Sequence, residues 1–504
     1  MEASKRIIVN TIVQYGKSVV NICLSLYSTR LVLDALNISD YGIYSVVGGV
    51  VSILGYLTNS LVVTTQRYLS YHQGAADNEQ VRKVFANSLL MHLMFGVAIC
   101  LILLPLENLL INHFLNIDPL RMQAAGAVYV TMVFMLFATV MTSPFKALLI
   151  AHENIVYISV IEVIDGVLKL VLALSLAFIG LDKLVFYAIG MTSVITFNLL
   201  AYIVYDYFKY EESHYRLGKK NYDKAIIRQL LGFAGWTTYG MVAGICQSQG
   251  LTVVFNKFFG TTINAAFGIG TQVNGAVRFV STSILNAMNP QIMKAEGSHD
   301  REKMLSLAGK ESKFSTALMM IISIPVMIEL PDILAFWLKV VPPYTTTFCR
   351  ALMLAFVVDQ MTLGLHAANQ ATGKLKYYSL LTYTPKMMLV PIAWATFKAD
   401  GGLHLMMAIY VFMELAVSLS RLPFMKYSAG LNVTQYVKAS LMPLLPLAMA
   451  VTLASVACTE CCAFRFRFLF TASVAATIGI ISLFTFTLSK DERTYVLRLL
   501  KLKR

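Results

Sequence analysis

Residues 155–180 read IVYISVIEVIDGVLKLVLALSLAFIG. A run this long and this apolar crosses a hydrocarbon core of about 30 Å when it forms a helix. It nevertheless carries Glu162, Asp165 and Lys169 at positions i, i+3 and i+7, which places all three on one helical face. Charged groups in lipid are costly and usually face a partner or a wet cavity. The segment therefore predicts a membrane helix with a polar, functional face.

Similar runs recur along the whole chain, whose 504 residues are 57% hydrophobic and only 13% charged. A soluble domain typically has about 45–50% and about 25% of these residues. We therefore predict an all-α membrane protein with about fourteen transmembrane helices and no soluble domain. The predicted spans are 7–34, 41–63, 84–104, 122–145, 155–180, 184–208, 229–256, 264–288, 314–331, 351–371, 377–397, 403–420, 440–457 and 468–488.

The basic residues are distributed unequally between the two ends of these spans. With the N-terminus inside, 28 of the 41 basic residues fall at cytoplasmic ends and loops, 8 on the other side and 5 within spans. This positive-inside asymmetry predicts that both termini are cytoplasmic. The richest clusters, 209–228, 294–313 and 490–504, are explained by topology and by attraction to anionic membrane lipids, so we expect no nucleic-acid partner.

The two halves of the chain align at an offset of 223 residues, which places QGAADNE (73–79) on EGSHDRE (296–302). Each segment lies between the second and third helices of a six-helix set. Six helices per repeat keep both halves in the same orientation, so a pseudo-two-fold axis would run along the membrane normal. We predict a six-helix bundle at 1–208, a cytoplasmic loop at 209–228, a second six-helix bundle at 229–427, an additional helix pair at 438–488 and a basic tail at 489–504.

Several short motifs lie near the ends of the spans: STRLVL (28–33), DYGIY (40–44), QRYL (66–69) with Gly74, and Asn289-Pro290 with Lys294 and Gly297. Together with the span count, they resemble the multidrug, oligosaccharidyl-lipid and polysaccharide exporter superfamily, and within it the bacterial polysaccharide repeat-unit flippases. One departure is Asn37, where we expect glycine at a turn, although asparagine also tolerates a left-handed conformation.

The resemblance implies alternating access by two bundles around a cationic central cavity in the bacterial cytoplasmic membrane. It implies a substrate as well: an undecaprenyl-pyrophosphate-linked oligosaccharide repeat unit for O-antigen, capsule or exopolysaccharide. It further implies a proton or sodium ion as the driving ion, and an association with the polysaccharide assembly machinery.

Arg278 is the strongest candidate for contact with the substrate. It lies near the middle of the polar eighth span and shares a face with Asn274 and Ser281. A guanidinium presents a planar fork of donors that suits phosphate. Asp165 and Lys169 can pair with each other, which leaves Glu162 without a partner. Arg278 therefore either lines the cavity or forms a structural pair with an acid such as Glu162.

Basic residues in other spans extend this candidate set. Lys17 of the first span points toward the inner half of the bundle, and Arg30 near its outer end either pairs with Asp34 or faces the cavity. Lys386 of the eleventh span and Glu414 of the twelfth are further buried charges. The predicted substrate-binding residues are Lys17, Arg30, Glu162, Asp165, Lys169, Asn274, Arg278 and Lys386.

The tenth span carries Asp359, Thr362, His366 and Asn369 at i, i+3, i+7 and i+10. A carboxylate near a histidine can relay protons, since histidine titrates near neutrality. Asp359 and His366 are therefore candidates for ion coupling. The alternative is a polar network that ties helices together.

Two other functions fit a polytopic chain. A cation-coupled multidrug exporter of the same superfamily favours cationic aromatic substrates, which match Lys17, Arg278 and Lys386 poorly. A glycan polymerase or ligase needs an extracytoplasmic catalytic loop, and the longest outer segment, 332–350, has no carboxylate and histidine pair. The sequence has no nucleotide-binding loop, nucleophile elbow or metal-ligand cluster. We therefore expect no enzyme, no cofactor and no metal.

Overall fold

The computed structural model describes residues 3–111, 117–180, 182–214, 222–338, 340–462, 464, 466–490 and 492–494. Within these ranges the chain is helical and contains no strand, which confirms the predicted fold class. Residues 215–221 of the predicted loop, and 491 and 495–504 of the predicted tail, lie outside the described residues. The chain divides into two compact units, Arg6–Thr238 and Tyr239–Arg504 with Met1–Lys5.

The first unit contains α1 (Ala3–Gly74) from Arg6 onward, α2 (Asn78–Leu103), α3 (Glu107–Leu109), α4 (Met122–Ala151), α5 (Ile155–Ser175), α6 (Lys183–Lys209) and the beginning of α7 (Lys224–Gly297). The second contains the rest of α7, then α8 (Arg301–Ile328), α9 (Leu330–Trp337), α10 (Thr345–Gln360), α11 (Leu363–Thr372), α12 (Leu375–Lys398), α13 (Leu403–Ala429), α14 (Val433–Tyr436), α15 (Leu444–Cys461) and α16 (Arg467–Ser482).

Each of the fourteen predicted spans coincides with helical backbone. Among the described residues, eight helical segments are long and apolar enough to cross a membrane, and the bent pair α10 and α11 would make a ninth. The fifth predicted span is not among these segments, because α5 carries three charged residues in its middle turns and is therefore less apolar. The charges that make α5 less apolar are therefore three residues of the predicted site.

The first two predicted spans form one helical run, α1, which doubles back on itself. Asn10 near its beginning donates a hydrogen bond to the carbonyl oxygen of Glu153 at 2.9 Å. Gln73 near its end lies 3.0 Å from the Nε2 atom of His152. Both ends of α1 therefore meet the same loop. The left-handed turn that we expected at Asn37 is wrong, because the backbone there is helical and has no positive φ.

The seventh and eighth spans likewise form one run, α7, and Gly260 divides them. Its φ of 77° is open to glycine at no steric cost. Phe255 and Phe267, on either side of this break, have ring centroids 4.8 Å apart, so α7 also doubles back.

The predicted internal repeat is visible in the local geometry. In both halves a helix ends at glycine, the next residue but one has a positive φ, and an aspartate caps the following helix. These residues are Gly74, Ala76 (φ 54°) and Asp77 in the first half, and Gly297, His299 (φ 60°) and Asp300 in the second. Each pair is separated by the same 223 residues as the sequence alignment.

The additional helices α15 and α16 pack on α8 within the second unit. Leu444, Leu447 and Val451 of α15 and Ala475 of α16 form a buried cluster with Ile321 of α8. At one end of this contact the Arg467 guanidinium binds the carboxylates of Glu329, at 3.0 Å, and Asp332. The pair is thus an integral part of the second unit.

Candidate functional site

The first unit holds a cluster of charges centred on Glu162 of α5. One carboxylate oxygen lies 2.5 Å from the Lys17 ammonium of α1, and the other lies 2.7 Å from the Lys146 ammonium of α4. The interpretation that Glu162 lacks a partner is therefore wrong. Both oxygens are bound by lysines of the same unit, so the reason for expecting Glu162 to pair with Arg278, namely a free carboxylate, no longer holds.

A second pair extends this cluster along α5. Asp165 binds Lys169 at 2.7 Å, as the spacing predicts, and accepts a hydrogen bond from the side chain of Asn198 in α6 at 2.7 Å. The cluster thus joins four helices and combines three ammonium groups with two carboxylates. Its positive charge exceeds its negative charge by one.

The second unit holds a network of four charges on α10, α12 and α13. Asp359 binds the Arg421 guanidinium at 2.7 Å, and Lys386 binds Glu414 at 2.6 Å. Lys386 also lies 3.9 Å from Asp359, which connects the two pairs. The exposed fraction of these side chains is between 4% and 16%, so the network is shielded from solvent.

This network surrounds a break in the tenth predicted span. α10 ends at Gln360 and α11 begins at Leu363, and the two helices meet at a bend of 48°. The Arg421 guanidinium donates to the Thr362 hydroxyl at 3.2 Å and lies 3.4 Å from the carbonyl oxygen of Asp359. A broken helix in a membrane needs such partners for its freed backbone groups. Arg421 therefore neutralises Asp359 and caps the break.

Arg278 differs from these paired charges. Its side chain is exposed, and its guanidinium carbon lies 5.2 Å from the ring centroid of Phe356 in α10. In the part of the chain that the structure describes, no carboxylate lies within ion-pairing distance of it. Its positive charge contributes to the electrostatic surroundings of Asp359. Arg278 is thus a cation available to another anion.

Asn274, Arg278 and Ser281, which were predicted to share one face, differ in their exposure: Arg278 is exposed, whereas Ser281 and the side-chain oxygen of Asn274 are buried. Ser281 is buried and hydrogen-bonds Ser315 at 2.8 Å and the side chain of Gln360. The Asn274 side-chain oxygen is buried and, among the described residues, has no hydrogen-bond partner. Ser281 therefore holds α7 to α8 and α10, while Arg278 remains accessible.

Arg30 of α1 is exposed, and so is Asp34. No ion pair joins them in the described portion of the structure, so the interfacial pair that we considered for Arg30 does not form. Arg30 is therefore an exposed cation on α1, and its contact with the substrate stays a prediction.

His366 does not hydrogen-bond Asp359. Its Nε2 atom lies 3.0 Å from the Gln370 side chain and 3.5 Å from the Tyr383 hydroxyl, and its Nδ1 atom is buried without a described partner. The direct relay between the two side chains is therefore not formed. Asp359 instead contacts Arg421, as in the polar network between helices that was the alternative interpretation of the tenth span.

Two central residues, Lys146 and Arg421, were absent from the predicted set. Lys146 lies one residue after the fourth predicted span, and Arg421 lies one residue after the twelfth. In the structure, α4 continues to Ala151 and α13 to Ala429. Extending each span by two turns would have included both cations among the buried charges.

Comparison with known proteins identifies the fold. No protein family model and no curated protein matches the sequence. Among solved structures, an outward-facing multidrug resistance MATE family transporter of the MOP superfamily has a TM-score of 0.71 at 16% identity, over 86% of this chain and 97% of that one. A point mutant of a MATE protein has a TM-score of 0.71 at 15% identity, over 87% and 98%. The chain has the MATE fold.

A third structure with this fold is a MOP superfamily transporter from Pyrococcus furiosus. It has a TM-score of 0.69 at 15% identity, over 86% of this chain and 97% of that one, and is described as having a binding pocket of reverse polarity that suggests a different function. The MATE fold and the apolar helices together make this chain a multi-pass membrane protein.

Proposed function

We propose that this chain is a flippase for polyprenyl-pyrophosphate-linked oligosaccharide repeat units, working by alternating access in the bacterial cytoplasmic membrane with both termini in the cytoplasm. The observation that carries the proposal is Arg278, an exposed guanidinium without a described carboxylate partner on a membrane helix. A pyrophosphate supplies the anion that such a fork binds best.

The charge balance of the two clusters supports an anionic substrate. Lys17, Lys146 and Lys169 exceed the carboxylates around them by one charge. In the second unit, Lys386 and Arg421 balance Asp359 and Glu414, so Arg278 is again an excess of one. A cationic drug would meet repulsion at both places, whereas a pyrophosphate would be attracted.

The second candidate is a cation-coupled multidrug exporter, favoured by the multidrug resistance MATE transporter among the structural neighbours. The Pyrococcus furiosus neighbour, whose binding pocket of reverse polarity is described as suggesting a different function, supports the view that one fold accommodates different functions. The structural neighbours described above are transporters, which favours transport over a polymerase or ligase reaction.

Coupling at Asp359 and His366 is part of the proposal. Because Asp359 is bound by Arg421 and Lys386, a driving ion would have to exchange with these cations during the cycle. Asp359→Asn should leave the protein in the membrane and abolish energised transport. Normal transport by this variant would mean that Asp359 and His366 serve only in the packing of helices.

Lipid analysis of a deletion strain tests the substrate. We expect undecaprenyl-linked repeat units to accumulate on the cytoplasmic face, and an unaltered lipid pool with increased drug sensitivity would overturn the proposal. The same strain would show whether polysaccharide assembly enzymes depend on the chain.

Variants of Arg278 test the contact. Arg278→Lys keeps the charge but removes the planar fork, so a bidentate phosphate contact predicts partial loss and a simple need for positive potential predicts little loss. Arg278→Ala should abolish flipping at an unchanged protein level. Arg350→Ala is the matched control, since Arg350 is exposed on α10 and, among the described residues, donates a hydrogen bond to the carbonyl oxygen of Met327.

A further inference from the structure

Glu311 of α8 is a carboxyl group without electrostatic compensation. Its exposed fraction is 0%, and neither side-chain oxygen has a hydrogen-bond partner among the described residues. It lies within a helix that is long and apolar enough to span the membrane. None of the contacts of the candidate site involves it.

The turn of α8 that carries Glu311 holds the break between α10 and α11. The adjacent Ser312 hydroxyl accepts a hydrogen bond from the backbone N–H of Gly364 at 2.9 Å. A Cβ atom at Gly364 would lie 1.9 Å from the carbonyl oxygen of Ala308, so the two helices are in close contact there. Glu311 is therefore buried where a bent, interrupted span docks on its neighbour.

α14 contributes to the same contact. The Tyr436 hydroxyl donates to the carbonyl oxygen of Met361, inside the break, at 2.8 Å. Tyr436 also interacts electrostatically with Glu311, and it is a neutral phenol rather than a cation. It offers no positive charge to a carboxylate at this position.

The bases of α8 are directed elsewhere. Lys310 and Lys313 line a cavity of about 790 Å³ between α8 and the segments 429–443 and 486–492, and Lys313 binds Glu492 at 2.6 Å. The charged and titratable groups on the other elements packed against α8 are likewise engaged or exposed: Asp359 with Arg421, His366 with Gln370, Glu329 and Asp332 with Arg467, Glu296 with Arg301, Arg350 with the carbonyl oxygen of Met327, Arg493 with the carbonyl oxygen of Thr485, the buried thiols of Cys349 and Cys458, and the exposed Arg278, Lys438 and Glu460.

An ionised carboxylate without a partner in a low-dielectric interior is strongly unfavourable, and such a group takes up a proton instead. We propose that Glu311 carries a proton in this conformation and releases it when α8 and α11 separate at the break, which makes the proton the coupling ion. Release breaks the O–H bond of the carboxyl group and transfers the proton to water that enters the opened contact. The coupling role rests on the proposed transport function, whereas the protonation does not.

Infrared difference spectra of the purified full-length protein, taken between H₂O and D₂O and between the wild type and variants, test the protonation of Glu311 directly. We expect carbonyl stretching bands of protonated carboxylic acids that shift in D₂O, and one of them should disappear in Glu311→Gln, whereas any band of the buried Asp206 should remain. Glu302→Gln, an exposed acid on the same helix, should keep the band. A carboxylic-acid spectrum that is identical in the wild type and Glu311→Gln, or loss of the Glu311 band from the wild type when Na⁺ is added, would overturn the assignment.

The melting temperature gives a second measurement. Glutamine matches a neutral carboxyl group in size and polarity, so Glu311→Gln should melt at the wild-type temperature at neutral pH. A large decrease would show that Glu311 is ionised and paired in the native protein, and would contradict the proposal.

A proton gradient across proteoliposomes tests the coupling. Wild type and Glu302→Gln should transport faster under the gradient, and Glu311→Gln should lose this stimulation. If Glu311→Gln responds like the wild type, the coupling role is wrong. If the wild type moves no lipid-linked glycan, the proposed function fails, and the infrared result still decides whether Glu311 binds a proton.

Discussion

Replacement of Arg421 by methionine should destabilise the second unit because it removes the cation that binds Asp359 and caps the helix break. Arg421 is only 4% exposed and donates to an Asp359 side-chain oxygen at 2.7 Å. Breaking a buried ion pair by removing one partner costs about 3–5 kcal/mol. We expect about 3 kcal/mol, at the lower end, because Lys386 remains 3.9 Å from Asp359 and Asp359 is 14% exposed.

Thermal melting of the purified protein in detergent measures this effect. Arg350→Met is the control, because Arg350 is exposed and makes one hydrogen bond to a backbone carbonyl, so its loss should change stability by about 0.5 kcal/mol or less. Arg421→Lys should fall between the wild type and Arg421→Met, since it keeps the charge but loses the fork that reaches Thr362.

A second substitution separates charge pairing from packing. With Arg421→Met in place, Asp359→Asn removes the stranded carboxylate, so the double variant should be more stable than Arg421→Met alone. The reasoning is refuted if Arg421→Met melts like the wild type, or if Asp359→Asn lowers the stability of Arg421→Met further.

Four other outcomes are expected, the first from the distribution of basic residues in the sequence and the other three from the structure. Cysteine labelling should place Lys219 and the C-terminal tail on the same, cytoplasmic side; opposite sides would mean a miscounted span. Glu162→Gln should cost about 2–3 kcal/mol in a melting assay, since it weakens the pairing of two ammonium groups. Gly364→Ala should cost about 3 kcal/mol, because its Cβ would lie 1.9 Å from a backbone oxygen of α8. The hydrogen bond from Arg121 holds the pKa of Asp182 below its ordinary value, so the stabilisation by this carboxylate is lost as the pH falls. The melting temperature of Asp182→Asn should therefore decrease less than that of the wild type when the pH is lowered.

The sequence was sufficient for the helices because membrane spans depend on a local property, the length of an apolar run. All fourteen predicted spans coincide with helical backbone, and the offset of 223 residues anticipates the matching caps at Asp77 and Asp300. The turn expected at Asn37 failed because the run of α1 stays helical there.

The site was predicted less completely because its contacts join different helices. Helical spacing orders residues along one helix, so it predicted the pair between Asp165 and Lys169. It could not show that Glu162 would meet Lys17 and Lys146, or that Asp359 would meet a cation 62 residues away on α13. Such pairs depend on tertiary packing, and two of the cations lay just beyond the predicted span ends.

Reconstitution with the proposed substrate tests the central claim most directly. Vesicles that contain the purified protein and a fluorescent undecaprenyl-pyrophosphate-linked oligosaccharide should transfer the glycan between leaflets, and vesicles with folded Arg278→Ala should not. Vesicles in which the wild type leaves the glycan in place but extrudes a cationic aromatic drug would contradict the flippase and support the multidrug exporter.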